Sequence, residues 1–494
     1  MKVFSKYLLL GALASATGTL YAQDSYDAQT FTNSDLNGTA RFVAMGGALG
    51  ALGGDISVMG TNPAGTAMYR KSDAAVSVSE LFGGKGAMDH DGHRFSFDQG
   101  GILVAFDMDN PTSKGLQFVN FGVNYQKRRN YLFNQITDVQ HLNNTFSQTF
   151  QIADLCNQAY ENDYWAGMLV DMSASDEGFH AGILDESGEY GYEGIPAQKA
   201  YYERSTYGAN VQADVNLSFN VNDQFFIGAS IGVYDINYER ESFYQELGID
   251  GNAYDFTNWY KTTGDGFDVK LGFICRPIED SPFRIGVYAH TPIWYRMTDS
   301  NGASLYLNDE PLVSSRNDEY DYKFRTPWKF GVSLGHTVGN NFAIGAEYEF
   351  QDLSAAHYSE RDNYSLPYFR NINRITKQTL KGQHTIKVGV EYKPIESLSL
   401  RVGYNHVTSP FKDGAYRTIG YDGPYTETDW TNWGAINRFT AGVGYRYKGG
   451  YFDLAYQYQA QKGDFYAFDN DVDFKSTKID NNRSQIMATL GFRF

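Results

Sequence analysis

The sequence predicts an all-β fold: a fourteen-stranded antiparallel β-barrel that spans the outer membrane of a Gram-negative bacterium, with an N-terminal hatch in its lumen. Three observations predict it. From about residue 72 to the C-terminus, apolar and polar residues alternate with period two, which is typical of strands with one apolar face. Short and long connections alternate between these segments, as the turns and outer loops of such barrels do. Tyrosines recur near the segment ends, as the aromatic girdles at the two membrane interfaces require.

The composition excludes two broad classes of protein. The chain has 494 residues, 42% of them hydrophobic and 16% aromatic, yet its mean hydropathy is only −0.45. This value excludes a bundle of transmembrane helices, each of which needs roughly 20 consecutive apolar residues. Lys and Arg number 41 against 58 Asp and Glu, a formal charge of −17, so no excess of cations exists to bind nucleic acid. No linker or charge block divides the chain, which predicts one large domain.

The first 22 residues have the pattern of a secretory signal peptide. Lys2 and Lys6 precede an apolar run at residues 7–14, and small residues then lead to Ala22, after which we predict cleavage. A short N-terminal membrane anchor is the alternative. The signal peptide is therefore predicted over residues 1–22, and the mature chain is predicted to be exported.

Fourteen segments carry the strand pattern and form the predicted barrel over residues 73–494. They are residues 73–82, 94–108, 115–127, 201–220, 223–240, 258–277, 282–297, 318–338, 341–356, 378–394, 397–410, 434–448, 450–461 and 481–494. The longest connection, the outer loop at residues 128–200, contains a helix-like stretch around residues 146–172. It is predicted to be either a lid that packs on the barrel rim or a site that captures ligand. A soluble β-propeller or a pair of stacked sandwiches is the alternative fold.

The chain ends on an amphipathic segment whose last residue is Phe494. An aromatic C-terminus of this kind resembles the signal read by the outer-membrane assembly machinery, so this machinery and outer-membrane lipids are predicted partners. A barrel in lipid must close, because an unpaired backbone N–H or C=O finds no water there. The last strand is therefore predicted to pair with the first.

The alternation also gives each strand residue a direction. Val388 and Leu454 fall on the apolar face and are predicted to face lipid, whereas Glu391 and Arg401 fall on the polar face and are predicted to point into the lumen. Glycines recur on the inward face, in a sequence motif close to apolar-Gly-apolar-x-Tyr. They either ease the bending of the strands or keep the lumen open for something held inside.

Residues 23–72, between the predicted cleavage site and the first strand, lack the strand pattern. They are rich in Gly and apolar residues, which would not stay exposed in the periplasm. We therefore predict that this segment lies inside the barrel as a plug, or hatch.

The N-terminal segment carries a resemblance to a known family. Asn62, Pro63 and Ala64, followed by Gly65, match an Asn-Pro-Ala motif in the hatch of the long-chain fatty-acid and aromatic-hydrocarbon transporter family of the outer membrane. That family also has fourteen strands. The Met-Gly-Gly-Ala stretch at residues 45–48 looks most like a branch found in Bacteroidetes, some members of which are labelled haemin receptors. An ordinary Asx-Pro turn is the alternative interpretation of the motif alone.

The resemblance implies passive transport of hydrophobic small molecules, either long-chain fatty acids or aromatic hydrocarbons, through a barrel gated by the hatch. The predicted partner is such a ligand, and no cofactor is predicted. Pockets for apolar ligands are lined by adaptable apolar side chains. The hatch residues predicted to line the pocket are Met45, Leu49, Leu52, Met59 and Met68. The alternatives are a surface-binding protein, either a haemin receptor or a secretion-system shuttle, and a general polar pore.

The sequence does not indicate an enzyme. Residues 228–232 and 331–335 match the pattern G-x-S-x-G, but both lie within predicted strands, whereas a nucleophilic serine needs a sharp strand-to-helix turn. His90 and His93 are weak candidates for a metal site, since a single loosely spaced pair is usually a solvated loop. No catalytic residue and no metal are therefore predicted.

The two cysteines are predicted to stay unpaired. Cys156 falls in the outer loop, and Cys275 falls near the periplasmic end of the sixth segment. Most of the membrane would separate them, which is far more than the roughly 7 Å between Cα atoms that a disulfide spans.

Overall fold

The computed structural model of the protein describes residues 24–109, 114–161, 168–174, 185–186, 191–278, 281–316, 319–361, 367–419, 426–469 and 474–494. The signal peptide predicted over residues 1–22 lies outside these ranges, as do parts of the predicted loop 128–200. Within the described chain, strands are far more extensive than helices. None of the helices found there is long and apolar enough to cross a membrane.

Fourteen antiparallel strands of the described chain form one closed sheet in sequence order, which confirms the predicted fold class and strand number. They are β1 (Asp73–Phe82), β2 (His93–Asp107), β3 (Leu116–Asn130, continued by Phe133–Asp138), β4 (Ala197–Val221), β5 (Phe225–Gly248), β6 (Ala253–Cys275), β7 (Arg284–His290 and Trp294–Leu307), β8 (Tyr320–Arg325 and Lys329–Val338), β9 (Phe342–Asp352 and His357–Glu360), β10 (Gly382–Ile395), β11 (Leu398–Val407), β12 (Trp430–Tyr447), β13 (Gly450–Tyr466) and β14 (Thr477–Asp480 and Arg483–Arg493).

The remaining elements lie in the N-terminal segment, in the outer loops and at a break within β9. They are the α-helices α1 (Ser25–Thr32), α2 (Ala40–Ala44), α3 (Gln148–Glu161), α4 (Met168–Ser173) and α5 (Pro367–Thr379), the 3₁₀ helices Ile56–Gly60, Pro63–Met68 and Leu353–Ala355, and the short strands Asp185–Glu186, Tyr192–Glu193 and Glu310–Arg316. The last of these folds back on the outer part of β7.

The first and last strands close the barrel, as predicted. β1 pairs with β14 in an unbroken register from Asp73 opposite Arg493 to Phe82 opposite Ser484. The N–H of Phe494, the last residue, donates to the carbonyl oxygen of Ser72 over 3.0 Å. The backbone ladder therefore continues around the whole circumference, as a wall in lipid requires.

The two faces of the wall differ as the alternation predicted. Val388 and Leu454 are exposed on the outside, while Glu391 and Arg401 are buried inside. The outward residues form a belt of large apolar side chains, among them Val76, Ile102, Ile231, Leu271, Val332, Val402 and Leu490. A continuous belt of this kind is the exterior of a barrel that lies in a bilayer.

Three neighbouring strands are each broken, although the sequence predicted continuous segments. β7 and β8 break at Thr-Pro steps, because proline has no N–H to donate to the ladder. The hydroxyl of the threonine before each proline accepts a bond from the facing strand: the Val269 N–H donates to Thr291 Oγ1 over 3.0 Å, and the Ile293 N–H donates to Thr326 Oγ1 over 2.8 Å. β9 breaks at the 3₁₀ helix Leu353–Ala355. The breaks bend the wall without leaving these backbone donors unpaired.

The N-terminal segment, residues 24–72, contacts the inner wall on several sides. Its hydrogen bonds reach β3 (Asn120 Nδ2 to Thr66 O, 2.7 Å), β4 (Thr66 Oγ1 to Ser218 Oγ, 2.8 Å), β9 (Gly50 N to Glu347 Oε2, 3.0 Å), β12 (Thr440 Oγ1 to Ala44 O, 3.0 Å) and β14 (Ala40 N to Thr489 Oγ1, 2.7 Å). Strands on well-separated parts of the circumference thus touch one segment. Its action as a hatch stays a prediction.

Several inward glycines lie where the N-terminal segment approaches the wall. A Cβ atom at Gly345 would lie 2.1 Å from the Ala48 carbonyl oxygen, and one at Gly389 would lie 2.3 Å from the Met45 carbonyl oxygen. Distances this short are steric clashes with backbone. Of the two explanations that the sequence left open, space for something held inside accounts for these positions.

The outer loop after β3 packs across the barrel mouth. Helix α3 buries Ile152, Leu155 and Cys156 in an apolar cluster with side chains of β4, β5 and β6 on one side and Phe465 and Phe468 on the other. The predicted bounds of this loop, 128–200, were too wide: residues 128–138 and 197–200 largely extend β3 and β4, and the described part between them packs on the barrel rim as a lid. Its capture of ligand stays a prediction.

A buried carboxylate anchors the lid. Glu246, at the outer end of β5 and well beyond Val233, accepts a hydrogen bond from the Gln148 N–H over 2.9 Å and another from the Tyr244 hydroxyl. Ser147 and Tyr254 are its other polar neighbours. Because the site is buried and these partners are neutral, the pKa of Glu246 rises from 4.5 to about 7.

The two cysteines are free, as predicted. Cys156 lies in α3 of the outer lid, and Cys275 ends β6 near the opposite, periplasmic end of the barrel. Burial also raises the pKa of the Cys156 thiol to about 12, so this side chain is a packing residue rather than a nucleophile.

Depth in the membrane should decide the effect of a charge on the outer face. Val332 and Val338 both lie outward on β8, but Val338 is beside the periplasmic turn. Val332→Arg should lower the free energy of barrel unfolding by about 2–4 kcal/mol and Val338→Arg by about 0–1 kcal/mol, because an arginine near the midplane must leave water. Reversible urea unfolding in lipid vesicles measures both values. Equal effects would contradict the assigned membrane belt.

Enlarging an inward glycine should disturb the N-terminal segment and spare the barrel. Gly345→Ala places a methyl group against the Ala48 carbonyl, which should cost about 1–3 kcal/mol of docking free energy. Hydrogen exchange of residues 42–52 should increase while the heat-modifiable band on a gel stays folded. Gly450→Ala is the control, since its nearest neighbour would be 3.7 Å away. Unchanged exchange in Gly345→Ala would refute the close approach.

The lid should loosen as pH rises. The pKa of Glu246 is higher in the folded protein than in the unfolded loop. The lid is therefore held less strongly as pH rises between 4.5 and about 7, and the loss is at most roughly 1.4 kcal/mol per pH unit. Hydrogen exchange of α3, corrected for its intrinsic pH dependence, should be faster at pH 8 than at pH 5. Glu246→Gln should abolish this difference, and Glu193→Gln, exposed in the same loop, should keep it.

Candidate functional site in the barrel lumen

Two adjoining cavities lie between the N-terminal segment and the barrel wall. The upper cavity has a volume of about 130 Å³ and the lower one about 120 Å³, and both are lined by Asn33, Ser34 and Asp35. The upper cavity extends to the inner side of β12 and the start of α1, and the lower one reaches His290 and Lys387. Together they form the candidate site, because a barrel lumen is where such proteins hold their ligands.

The upper cavity is bordered by a network of ion pairs. Arg204 Nη2 lies 2.8 Å from Asp429 Oδ2, and Arg240 Nη2 lies 2.5 Å from Glu427 Oε2. Arg417 Nε lies 2.7 Å from Asp24 Oδ2, so the start of the N-terminal segment belongs to the network. Charges can be buried at this density because they are paired.

A second group of cations surrounds a single carboxylate between the two cavities. Asp35 Oδ1 lies 3.0 Å from Arg483 Nη2 and 3.8 Å from Arg438 Nη2. Arg129 lines the upper cavity beside them, with its guanidinium 5.3 Å from the Tyr131 ring centre. This part of the lumen therefore has more cations than anions.

The lower cavity is polar as well. Lys270 Nζ lies 2.7 Å from both Asp214 Oδ1 and Asp268 Oδ1 and is almost fully buried. His290 Nε2 and the Thr61 carbonyl oxygen are 2.6 Å apart, which joins β7 to the N-terminal segment. The polar inward face predicted from the alternation is thus present, and its charges are compensated by neighbours on adjacent strands.

The wall is open beside the upper cavity. β2 and β3 pair from Asp107 opposite Phe118 to Gln99 opposite Gln126, and within the described chain no ladder pair continues above that point. β3 pairs with β4 along its whole length, and its bend at residues 130–133 lines the upper cavity.

Asn37 of the N-terminal segment fills the base of this opening. Its side-chain amide donates to the Lys127 carbonyl oxygen and to Asp98 Oδ1, each over 3.0 Å. The Gln126 side chain donates in return to the Asn37 carbonyl over 2.6 Å. One residue of the segment thus bridges the two strands that part here.

The Asn-Pro-Ala motif holds the N-terminal segment together and fits the wall. Asn62 caps the 3₁₀ helix Pro63–Met68, since its Oδ1 accepts from the Ala64 N–H over 3.2 Å, and its Nδ2 donates to the Gly50 carbonyl over 2.9 Å. The Gly65 N–H in turn donates to the Asn62 carbonyl over 2.9 Å. The turn rests against glycines of three adjacent strands, Gly228, Gly272 and Gly286.

The five side chains predicted to form an apolar pocket are packed away from both cavities. Met45, Leu49 and Leu52 form a buried cluster, Met59 packs against β1 and β2, and Met68 is partly buried beside Phe226 and Ile274. Among the described residues that line the two cavities, none of these five is present. Their contact with ligand stays a prediction.

The residues that line the upper cavity could not be assigned from the sequence; among them are Arg129, Tyr131, Arg204, Arg240 and Trp430. They come from four strands or strand ends, so only the closed barrel brings them together. One local signal was present: Lys127, Arg128 and Arg129 are three consecutive cations at the end of a membrane strand.

The weak metal candidates do not converge. His90 Nε2 lies 3.4 Å from Glu241 Oε2 on β5, whereas His93 Nδ1 lies 3.0 Å from Glu80 Oε1 on β1. In the chain as described, no three side chains of His, Cys, Asp or Glu are grouped for a metal ion. The two G-x-S-x-G matches lie inside β5 and β8, as predicted.

Known structures share this architecture. A FadL homologue of Pseudomonas aeruginosa aligns over 94% of this chain and 100% of its own, with a TM-score of 0.52 and 14% identity. The toluene transporter TodX of Pseudomonas putida aligns over 93% and 99%, with a TM-score of 0.51 and 12% identity. The toluene transporter TbuX of Ralstonia pickettii aligns over 93% and 99%, with a TM-score of 0.50 and 13% identity.

The protein has the fold of these transporters. No protein-family model and no curated protein sequence matches the chain. At these identities the likeness concerns the fold, and with the apolar outer belt it places the protein in an outer membrane as a multi-pass β-barrel. Membership of the branch that includes haemin receptors stays a prediction.

Proposed function

We propose that the protein lets hydrophobic small molecules cross the outer membrane without an energy source. One observation carries the proposal: a lumen occupied by a separate N-terminal segment, with two adjoining cavities between it and the wall and an opening in the wall beside the upper one. A general polar pore would need a continuous water path instead. The fold shared with a FadL homologue and with toluene transporters supports a hydrophobic substrate.

The N-terminal segment is proposed to be the hatch. It is held by hydrogen bonds and ion pairs, such as Arg41 Nε to Glu391 Oε2 at 3.2 Å and Arg284 Nη1 to the Leu52 carbonyl at 2.8 Å. Water can replace bonds of this kind when the segment shifts. The barrel ladder closes independently of the segment, so a shift need not unfold the wall.

The route is proposed to run from the barrel mouth to the upper cavity and then sideways between β2 and β3. A solute that dissolves in lipid gains by leaving there, because it avoids the aqueous periplasm. Asn37 would have to release Lys127 or Asp98 for the opening to reach deeper into the wall. Passage to the periplasm past the hatch is the second route.

Of the alternatives, a surface-binding protein would use the lid rather than the lumen. Haemin is far larger than either cavity, at about 130 and 120 Å³, so a haemin receptor would have to bind it outside the lumen in this arrangement. A secretion-system shuttle would likewise act through the outer loops. Transport measurements therefore distinguish these functions from the passive transport proposed here.

Loosening the Asn-Pro-Ala turn should change transport and leave the barrel folded. Asn62→Ala with Pro63→Ala removes the cap of the 3₁₀ helix and the bond to Gly50, so the uptake rate of a labelled long-chain fatty acid or toluene into proteoliposomes should change severalfold. The heat-modifiable band should stay intact. Asn308→Ala with Pro311→Ala, exposed in an outer hairpin, is the matched control.

Deleting residues 24–72 should instead raise the leakage of small polar solutes, since the charged lumen would then hold continuous water. If neither uptake nor leakage responds to these changes in correctly folded protein, the N-terminal segment is not a gate. The surface-binding function would then be favoured.

A further inference from the structure

We propose that the upper cavity binds a small aromatic carboxylate of about the size of benzoate. The proposal deepens the proposed function, because it names a substrate class for the lumen, and it relies on that function only for the route. Size, charge, unpaired donors and ring contacts each limit the ligand.

The size of the cavity admits about one ring. Its volume is about 130 Å³, and a cavity of roughly 150 Å³ in another protein binds benzene. A long acyl chain or a porphyrin does not fit this arrangement. The lower cavity adjoins it only at residues 33–35 and at β12, so a longer ligand would need those side chains to move.

The charge of the lining favours an anion. Six arginines line the cavity against four aspartates, an excess of two positive charges in a chain whose net charge is −17. Glu427, just behind the lining, pairs with Arg240 and lowers the excess to one. The sign of the local charge is therefore opposite to that of the whole protein, which indicates selection for a negative ligand.

Several donors at the cavity wall have no hydrogen-bond partner among the described residues. They are the Tyr131 hydroxyl, the Trp430 indole N–H and the Nε–H groups of Arg204 and Arg240. Tyr131 and Trp430 are each at least 95% buried. The unpaired acceptors nearby are Asp27 Oδ2, Asp429 Oδ2 and Glu427 Oε2, of which the last two lie 2.8 Å and 2.5 Å from guanidinium nitrogens of Arg204 and Arg240. Buried donors ordinarily find partners, and a carboxylate, which only accepts, offers about four sites for them.

The apolar part of the wall is made of rings. Tyr131 meets Tyr238 edge to face, with ring centres 4.9 Å apart, and Phe133 meets Trp433 in the same way at 5.3 Å. Rings in such an array accept a further aromatic ring at favourable angles. The cavity therefore offers cations and donors for a carboxylate beside ring edges and faces for an aromatic body.

The test measures binding to the full mature chain in detergent by titration calorimetry. Benzoate should bind with a measurable dissociation constant, whereas benzyl alcohol, of nearly the same shape but neutral, should bind at least tenfold more weakly. Hexanoate, which has the carboxylate without the ring, should also bind more weakly. Tyr131→Phe removes one hydroxyl and should weaken benzoate binding about five- to tenfold. Tyr447→Phe, exposed on the outer face, should leave it unchanged.

Trp430→Phe is a second variant in case Tyr131→Phe folds poorly, and the heat-modifiable band reports folding of both. The proposal is overturned if folded protein does not bind benzoate, if benzyl alcohol or hexanoate binds as tightly, or if neither variant weakens binding. Uptake of labelled benzoate into proteoliposomes separates the two proposals. Binding without uptake would leave this site in place and refute transport, while uptake of toluene without benzoate binding would do the reverse.

Discussion

The structure depends on one constraint: in lipid every backbone N–H and C=O of the wall must pair within the protein. The register between β1 and β14, which runs without a break from Asp73 to Phe82, meets this constraint at the point where the chain ends meet. Where proline interrupts β7 and β8, the hydroxyl of the preceding threonine accepts from a backbone N–H of the facing strand, so that this donor stays paired. The closed ring of fourteen strands then encloses more space than its own inward side chains fill, and the N-terminal segment occupies it.

The way in which this space is filled differs from the packing of a soluble core. The wall offers glycines, such as Gly345 and Gly389, that let backbone approach backbone, and it offers charges that pair with the segment. Arg41 joins Glu391, which joins Arg401, which joins Asp453 on a further strand. Buried ion pairs of this kind add little net stability, because desolvation offsets much of their attraction. Their partners lie on separate strands, so together they position the segment against the wall.

The lumen also differs in charge from the protein as a whole. The chain as a whole is acidic, yet the upper cavity has an excess of arginine over acidic side chains. The closed barrel holds this region apart from the outer surface. A carrier of apolar solutes with this lining would favour molecules that have both an apolar body and an anionic end.

The sequence by itself determined the wall. The period of two, the short and long connections and the aromatic C-terminus are local features, and a barrel in lipid leaves one arrangement for them, so fourteen strands, their order, their faces and the closing pair followed. Val388 is exposed to lipid and Glu391 is buried in the lumen because an odd number of positions separates them on one strand. Asn62 and Pro63 could be assigned to a turn in the lumen because the motif is contiguous.

Tertiary structure alone decided the contents of the lumen. Tyr131, Arg204, Arg240 and Trp430 belong to distant parts of the chain, and no spacing in the sequence brings their side chains together. The methionines and leucines of the N-terminal segment satisfied the composition of an apolar pocket, but the segment buries them against itself and the wall. Local pattern reports which face of a strand meets lipid, since lipid is the same around the whole barrel. It does not report which inward side chains meet, because that depends on the closure of the ring and on the segment held within it.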